Sequence, residues 1–487
     1  MTRPSLAPDL CANTAYSLSE AIAAGEVSCV EVISAHLDRI EALEGRHHCM
    51  VSLRPREEVL REAAERDQQL ARGESRGWMH GLPHAVKDLS DVRGLPTTSG
   101  FVRVEEAPVA SEDSLLASRV RGAGAVFVGK TNTPEHGLGS HTYNSLGPPT
   151  GNALDPRRTA GGSSGGAAVA VALGMVPVAD GSDFMGSLRN PPGWNEVLGL
   201  RPTPGRVPNT DDDVFSVPGG VDGPIARNSR DLALLLATMS GHDRHDPLSL
   251  ADDPQLLLDG LDCELDALRI GWLADLGGYL ATEPGVLDTC VRALGTWSSA
   301  GATVEPVELP KAKGFRGVED LWPAWLTLRH LQVGAGLEFD YDEDALGRMK
   351  PEARWEVEGF HRLTVDDVVR SARTRSGLYR SFLALFDEFD VVALPSAQVW
   401  PFPVDHDWPH TIAGAAMDTY HRWMEVTVPA TMAGLPVLVV PAGRGAEGLP
   451  MGLQLIGPAR SESLLLRIAA HGERHGLVRT VVPSALP

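Results

Sequence analysis

The chain has 487 residues, of which 43% are hydrophobic and 22% charged, a composition typical of a folded globular protein. Its 64 acidic and 43 basic residues give a net charge of -21. Because nucleic acids and anionic membranes attract basic surfaces, this balance argues against either as a partner. The five cysteines include no C-x-x-C pair, so neither a disulfide framework nor a zinc site is predicted. The first residues lack an apolar stretch of signal-peptide length, and a cytoplasmic protein is expected.

The N-terminal part of the chain predicts helices. Ser17 with Glu20 and Ser28 with Glu31 both fit the capping box, in which each side chain binds the other residue's backbone N–H. A further amphipathic helix is predicted over 56–72. The later predicted elements are a strand at 82–89 that runs into a loop, a helix followed by a strand at 125–128, a helix at 229–241, a strand at 268–272, a helix at 283–299, strands at 390–394, 437–441 and 451–456, and a helix at 462–476. This alternation predicts an α/β fold with a largely parallel sheet.

The length alone would allow two or three domains, although a large open α/β sheet can reach this size as one unit. No internal repeat and no low-complexity linker divides the chain, so we predict one domain over 1–487. Its parts are N-terminal helices at 15–75, a core at about 76–245, an irregular helical elaboration at about 305–420, and C-terminal strands and a helix at 425–478.

The most unusual segment, 160–208, holds glycine-flanked serines at Ser163, Ser164 and Ser187. Glycine lets backbone N–H groups approach a ligand closely, and a helix that starts after a glycine loop presents free N–H donors to an anion. Such a site suits an oxyanion or a phosphate, but the G-x-x-x-x-G-K-[ST] pattern of a phosphate loop is missing. Two glycine turns that pack a helix against a sheet are the alternative interpretation.

The sequence GGSSG at 161–165 also matches the G-x-S-x-G elbow of α/β-hydrolases, with Ser163 as nucleophile. That elbow follows a buried strand directly, whereas the preceding NALDPRRTA is polar and contains a proline. The fold also needs a downstream histidine, and His471 and His475 lie in a predicted amphipathic helix, where solvated histidines are common. This interpretation is therefore disfavoured.

Several ordered blocks together resemble the amidase signature family. The central ones are GGSSGG at 161–166, GSDFMGSLRNP at 181–191 and GLRPT at 199–203. Similar blocks elsewhere are LPHAVKD at 82–88, GKTNTPEHG at 129–137, DGPIARNSRD at 222–231, FDVVALPS at 389–396, and AGLPVLVVPAG and GLPMGLQLIG within 433–457. The resemblance spans nearly the whole chain. It implies a large twisted mixed β-sheet covered on both faces by α-helices.

The resemblance also implies a catalytic site without a cofactor or a metal. Ser187 matches the nucleophile, Ser163 the bridging serine whose peptide bond is cis, and Lys87 the general base. A lysine acts as a base near neutral pH only when burial lowers its pKa from about 10.4. The implied oxyanion hole consists of backbone N–H groups, and the implied supporting residues include an Asp–Arg pair. These two sets are Phe184, Met185, Gly186 and Ser187 for the hole, and Ser164, Asp183 and Arg189 for the support.

Two departures from the family pattern bear on the substrate. The family's glycine two residues before the nucleophile is Met185 here, and its A-x-F-C-G block is replaced by PGWNE at 192–196. Phe184, Met185 and Trp194 are expected to line an apolar mouth, which favours a small, largely apolar amide. Four further tryptophans are either pocket walls or core, namely Trp322, Trp325, Trp400 and Trp423.

The sequence leaves other functions open. Carbamates (urethanes) and esters pass through the same kind of tetrahedral intermediate as amides. A glutamine amidotransferase subunit would use the same three residues, although the charge of -21 and the apolar mouth disfavour a tRNA-linked partner. A non-enzymatic binding module is disfavoured because all three catalytic positions are retained. The expected partner is a small-molecule substrate, and whether the chain forms a homodimer is left open.

Overall fold

An eight-stranded mixed β-sheet is the largest sheet in this computed structural model, which describes residues 6–210, 214–215, 219–265 and 267–483. Sheets of three and two strands accompany it within the described residues. In chain order the strands are β1 Met50–Val51, β2 Pro83–Lys87, β3 Val126–Thr131, β4 Val178–Asp183, β5 Leu198–Arg201, β6 Val221–Ala226, β7 Arg269–Trp272, β8 Thr303–Pro306, β9 Val391–Pro395, β10 Thr411–Ile412, β11 Ala415–Ala416, β12 Val437–Arg444 and β13 Pro450–Ile456.

The strand order of the large sheet is β4-β6-β5-β12-β13-β9-β7-β8. Neighbours from β4 through β9 pair antiparallel, and only β9, β7 and β8 run parallel. The prediction of a largely parallel sheet is therefore wrong, while the mixed sheet implied by the family resemblance is present. The error arises because β12 and β13 form an antiparallel pair in mid-sheet, joining β5 from the first half of the chain to β9 from the second.

The helices account for most of the remaining regular structure. In chain order they are α1 Ala15–Ala24, α2 Cys29–His47, α3 Arg56–Ala71, α4 Leu115–Gly122, α5 Gly165–Ala172, α6 Asn190–Trp194, α7 Ser229–Met239, α8 Val286–Ser299, α9 Leu321–Arg329, α10 Ala335–Asp340, α11 Glu343–Arg348, α12 Pro351–Arg362, α13 Val365–Phe386, α14 Val428–Ala433 and α15 Glu462–Arg474. A π-helical turn, His330–Gly334, joins α9 to α10. Short 3-10 turns cover Leu10–Ala12, Glu135–Gly137, Pro254–Leu258, Val318–Asp320 and Arg422–Thr427.

One of the two predicted capping boxes is present. Ser28 caps α2, and the Glu31 side chain returns to the Ser28 backbone. The box predicted for Ser17 is wrong, because the N-cap of α1 is Thr14, three residues before Ser17. The Thr14 hydroxyl accepts the N–H of Ser17, so a threonine upstream takes the role assigned to the serine.

Buried apolar side chains from Ala15 to Val481 form one contiguous cluster. Every residue of α5 is buried, and this helix contacts β2, β3 and β4. Its small residues permit that approach: a Cβ on Gly166 would lie 2.5 Å from the backbone nitrogen of Asn132. The close packing fixes the serines before α5 against the ends of β2 and β4.

The region predicted as a helical elaboration contains α9 to α13, and it also contributes β9 to the large sheet. A separate small cluster of buried apolar residues joins Leu138 to this region, from which it takes Leu337, Met349, Ala353 and Val357. Among the helices of the described residues, none has the length and apolar character needed to cross a membrane.

Candidate active site

Lys87 ends the buried strand β2, and its side chain is only 1% exposed. Its Nζ donates hydrogen bonds to three serine hydroxyls: Ser163 at 2.7 Å, Ser164 at 2.9 Å and Ser182 at 2.9 Å. No carboxylate is among these partners. A buried lysine held by neutral groups is poised to lose its proton, because burial disfavours the charged form.

The pKa of Lys87 follows this environment. Burial lowers it from 10.5 to about 7, although the carboxylates of Asp222, Asp180 and Asp183 partly oppose the shift. A substantial fraction of the amine is then neutral at physiological pH, and a neutral amine can accept a proton.

Ser163 connects Lys87 to Ser187. The Oγ atoms of the two serines lie 3.0 Å apart, so a continuous line of hydrogen bonds runs from Ser187 through Ser163 to the lysine. Both serines are buried, at 6% and 3% exposure. The arrangement can carry a proton from the Ser187 hydroxyl to Lys87 Nζ.

The glycine loop before α5 brings Ser163 to this place. The Gly162–Ser163 peptide bond is cis. A Cβ on Gly162 would lie 2.7 Å from the backbone nitrogen of His141, and one on Gly161 would lie 2.2 Å from Oδ1 of Asn190. A side chain at either position would therefore clash with these neighbouring residues, so the close packing requires glycine at both.

Two residues of the site were missed by sequence reasoning. Asp180 accepts the backbone N–H of Lys87 at 3.1 Å and binds His84 Nε2 at 3.0 Å, and Ser182 binds Lys87 Nζ. Both lie on β4, and residues i and i+2 of a strand face the same side. The polar alternation DGSD at the end of an apolar strand was the available signal.

Asp183 and Arg189 form the predicted pair, and both are fully buried. The contact is bidentate, with Nε and Nη2 each 2.9 Å from a carboxylate oxygen. Burial alone would raise the pKa of Asp183, but the charges of Arg189 and Arg201 outweigh it and hold that pKa well below its ordinary value. Arg189 also donates to Thr427 O, Gln454 Oε1 and Thr431 Oγ1, so all five of its N–H groups are bound.

Asp183 also fixes the backbone beside the nucleophile. Its oxygens accept the N–H groups of Gly186 at 2.9 Å and Leu188 at 3.0 Å. The Gly186 amide was expected to face an oxyanion, and in this structure it is taken by Asp183 instead. The expected donor set thus narrows to the amides of Phe184, Met185 and Ser187.

Of the three residues expected at an apolar mouth, Phe184 is the one that is half-buried. Its ring centroid lies 5.4 Å from that of Trp325, and the guanidinium of Arg329 sits 5.5 Å from its centre. Met185 is 5% exposed. Trp194 is fully buried and stacks on Trp423 with centroids 6.0 Å apart, so the structure places its ring in the core.

The alternative in which Ser163 serves as an α/β-hydrolase nucleophile does not fit these contacts. Residues 160–164 directly before α5 are not in a strand. His471 and His475 contact Glu264 instead of a catalytic serine.

The amidase family matches residues 31–466 of the chain. An acylamidase of Rhodococcus erythropolis is 34% identical over 467 residues, which cover 94% of each protein. A glutamyl-tRNA(Gln) amidotransferase subunit of Acidothermus cellulolyticus is 33% identical, with 96% of each protein covered. Among solved structures, a bacterial aryl acylamidase of the amidase signature enzymes superposes with a TM-score of 0.88 at 26% identity, covering 98% of this chain and 99% of that one.

Proposed function

Because the chain belongs to the amidase signature family and is therefore an amidase that acts on C–N bonds, we propose that it hydrolyses a small, largely apolar amide through an acyl-enzyme on Ser187. The observation that carries this proposal is the line of hydrogen bonds from Ser187 through Ser163 to Lys87. A serine hydroxyl attacks an amide only when a base removes its proton, and this line supplies one.

In the proposed reaction, Ser187 Oγ attacks the amide carbonyl while its proton moves to Ser163 Oγ. Ser163 in turn gives its own proton to Lys87 Nζ. The proton then returns by the same route to the amide nitrogen, the C–N bond breaks, and the amine leaves. Water attacks the resulting ester of Ser187 with the same groups as base and acid, which releases the carboxylic acid and restores the enzyme.

The negative charge on the carbonyl oxygen has to be stabilised at each tetrahedral stage. We assign this task to the backbone N–H groups of Phe184, Met185 and Ser187. Loss of a single such donor typically lowers the rate by about 100–1000-fold. Asp183 contributes by holding the chain on either side of Ser187 through Gly186 and Leu188.

The apolar character of the substrate is inferred from the residues beside the nucleophile. Phe184 packs against Trp325, and Met185 occupies the position where the family has glycine. The only cation in contact with the Phe184 ring, among the described residues, is Arg329, whose charge is balanced by the buried carboxylate of Glu356. A site of this kind favours uncharged acyl groups, and the similarity to the Rhodococcus acylamidase supports the same class.

Two alternatives use the same residues. Carbamates and esters present the same carbonyl geometry to Ser187. The similarity to amidotransferase subunits favours glutamine as a second candidate amide. The apolar surroundings of Phe184 argue against glutamine. The side-chain amide of glutamine and its charged α-ammonium and α-carboxylate groups would lose their hydration there.

The test is a substrate panel of aliphatic amides, anilides, aryl carbamates, esters and glutamine, assayed with the wild type and with Ser187→Ala. We expect the highest kcat/KM for an uncharged amide and its loss in the variant. Equal turnover by both proteins would overturn the mechanism. Turnover of carbamates or esters alone would replace the substrate class, and turnover of glutamine that appears only with added partner subunits would favour the amidotransferase.

A further inference from the structure

A cluster of three potential metal ligands lies on segments other than those that carry the catalytic residues. It consists of Glu264, which precedes β7, and of His471 and His475 on α15 and at its C-terminal end. Glu264 Oε2 is 2.8 Å from His475 Nε2 and 3.1 Å from His471 Nδ1. One ligand atom from each residue lies within 4.8 Å of the other two.

We propose that Glu264, His471 and His475 bind a divalent transition-metal ion of the Zn²⁺ type. Zinc bonds to imidazole nitrogen and carboxylate oxygen are about 2.0–2.2 Å long, so tetrahedral ligand atoms lie about 3.3 Å from one another. The observed separations from the glutamate oxygen are close to that value. Two imidazoles and one carboxylate suit zinc or copper, whereas Mg²⁺ and Ca²⁺ prefer sites made of oxygen alone.

The helix and its surroundings orient the ligands. Residues four apart on a helix share one face, which brings the two imidazoles side by side with ring centroids 4.3 Å apart. The Trp297 ring stacks on His471 at 6.2 Å and an interplanar angle of 26°. Such packing limits the rotation of the His471 side chain. It therefore reduces the side-chain entropy that metal binding would cost.

Two neighbouring groups oppose a cation. One is the backbone N–H of Leu265, which lies 3.4 Å from His471 Nδ1, and the other is Arg474. Its Nε lies 3.6 Å from Oε1 of Glu264, so it faces the other carboxylate oxygen and leaves Oε2 to the histidines. Its two Nη groups bind the carbonyl oxygens of Leu261 and Cys263. This anchors the segment that carries Glu264 against α15. The net charge of -21 attracts cations to the protein surface in general.

A metal at this place would join two segments that lie 211 residues apart in sequence, as the Glu264–His475 contact already does. We therefore assign it a structural role, the fastening of α15 to the segment before β7. A ligand that binds only the folded protein raises its stability by mass action.

The experiment is calorimetric titration of metal-stripped protein with ZnCl2, with MgCl2 in parallel. We expect about one equivalent of Zn²⁺ to bind, no binding of Mg²⁺, and at least about tenfold weaker Zn²⁺ affinity in both His475→Ala and Glu264→Gln. Matched controls are His245→Ala and His410→Ala, which alter exposed histidines that each pair with one aspartate, and Cys263→Ser, which removes a nearby exposed thiol.

Thermal unfolding provides the second measurement. Zn²⁺ should raise the Tm of the wild type and of the three controls, and it should raise the Tm of His475→Ala and of Glu264→Gln by less. Both residues are largely exposed, so these variants should fold, which circular dichroism checks. Absence of saturable binding, binding unchanged in both variants, or binding lost only in Cys263→Ser would each overturn the proposal.

Discussion

The hydroxyl of Ser182 lies 2.9 Å from Lys87 Nζ, the same distance as the hydroxyl of Ser164. The lysine is thus held from two further sides besides Ser163, and its amine has one defined position at the end of β2. Each of these contacts also stabilises the protonated amine, because hydroxyl oxygens accept its N–H bonds.

Removing one of these acceptors should shift the pH dependence of activity. In Ser182→Ala the protonated form of Lys87 loses a hydrogen bond, so we expect the acid limb of the kcat/KM profile to move to lower pH. The rate at its plateau should also fall, because the amine is less well oriented. The control is Ser371→Ala, which removes a buried hydroxyl bound to Ala324 O on α9. An acid limb that stays in place in Ser182→Ala would contradict this role.

The wild-type profile itself follows from the pKa of about 7 for Lys87. The base must be neutral, so kcat/KM should rise with pH through about 7 and level off above it. Below that pH the activity should fall about tenfold per pH unit, since the neutral fraction of a single base falls by that factor. The measurement is kcat/KM from pH 5 to 9, and a flat profile would rule out lysine as the base.

Lys87 should also make stability depend on pH. Its pKa is about 7 in the folded chain against 10.5 ordinarily, so between these values the unfolded chain binds more protons than the folded one. Stability should therefore rise with pH across this window as the penalty for burying the amine disappears. Lys87→Met should flatten that part of the curve, whereas Lys313→Met, which changes an exposed lysine, should not. Denaturant unfolding at pH 7, 8.5 and 10 checks the difference, and parallel curves for both variants would contradict it.

Breaking the buried ion pair should cost far more than breaking a surface pair. Asp183→Asn leaves Arg189 and Arg201 without their carboxylate, and loss of one partner of a buried pair typically destabilises by about 3–5 kcal/mol. Asp155→Asn is the control, because its partner Arg157 is 86% exposed. Equal losses of unfolding free energy in the two variants would show that Asp183 does not organise the loop.

Met185 should limit the size of the acyl group. Met185→Ala removes volume beside Ser187, so we expect kcat/KM to increase for bulky amides relative to small ones. Truncating a buried methionine also destabilises by about 2–5 kcal/mol, and Met79→Ala controls for that loss at another buried position. If both variants have the same ratio of bulky to small substrate turnover, Met185 does not contribute to selection.

The sequence predicted the elements whose signals are local. Periodicity predicted α7, α15 and the strand that carries Lys87. The motifs of the family implied the contact between Ser163 and Ser187. The direction of the sheet strands could not be predicted, because β12 and β13 pair with strands from both halves of the chain. A local sequence pattern does not predict which distant strands pair with each other.

As with the fold, the sequence predicted the parts of the site that lie in local motifs and missed those that depend on contacts between distant segments. Asp180 and Ser182 were overlooked because their role depends on β2 lying beside β4, a contact between separate parts of the chain. The assignment of Gly186 to the oxyanion hole missed the competing carboxylate of Asp183, since sequence cannot show which acceptor an amide faces. The cluster at α15 was missed because Glu264 meets the histidines only in the folded chain.

The hydrogen bonds of Arg189 determine how late in synthesis the active site can form. The guanidinium holds Thr427 and Gln454, which lie 238 and 265 residues further along the chain. A nascent chain on the ribosome therefore carries Lys87, Ser163 and Ser187 long before the partners that fix the loop of its nucleophile have been synthesised. We expect activity only after Gln454 has left the exit tunnel. The enzyme should therefore be inactive during most of its own translation.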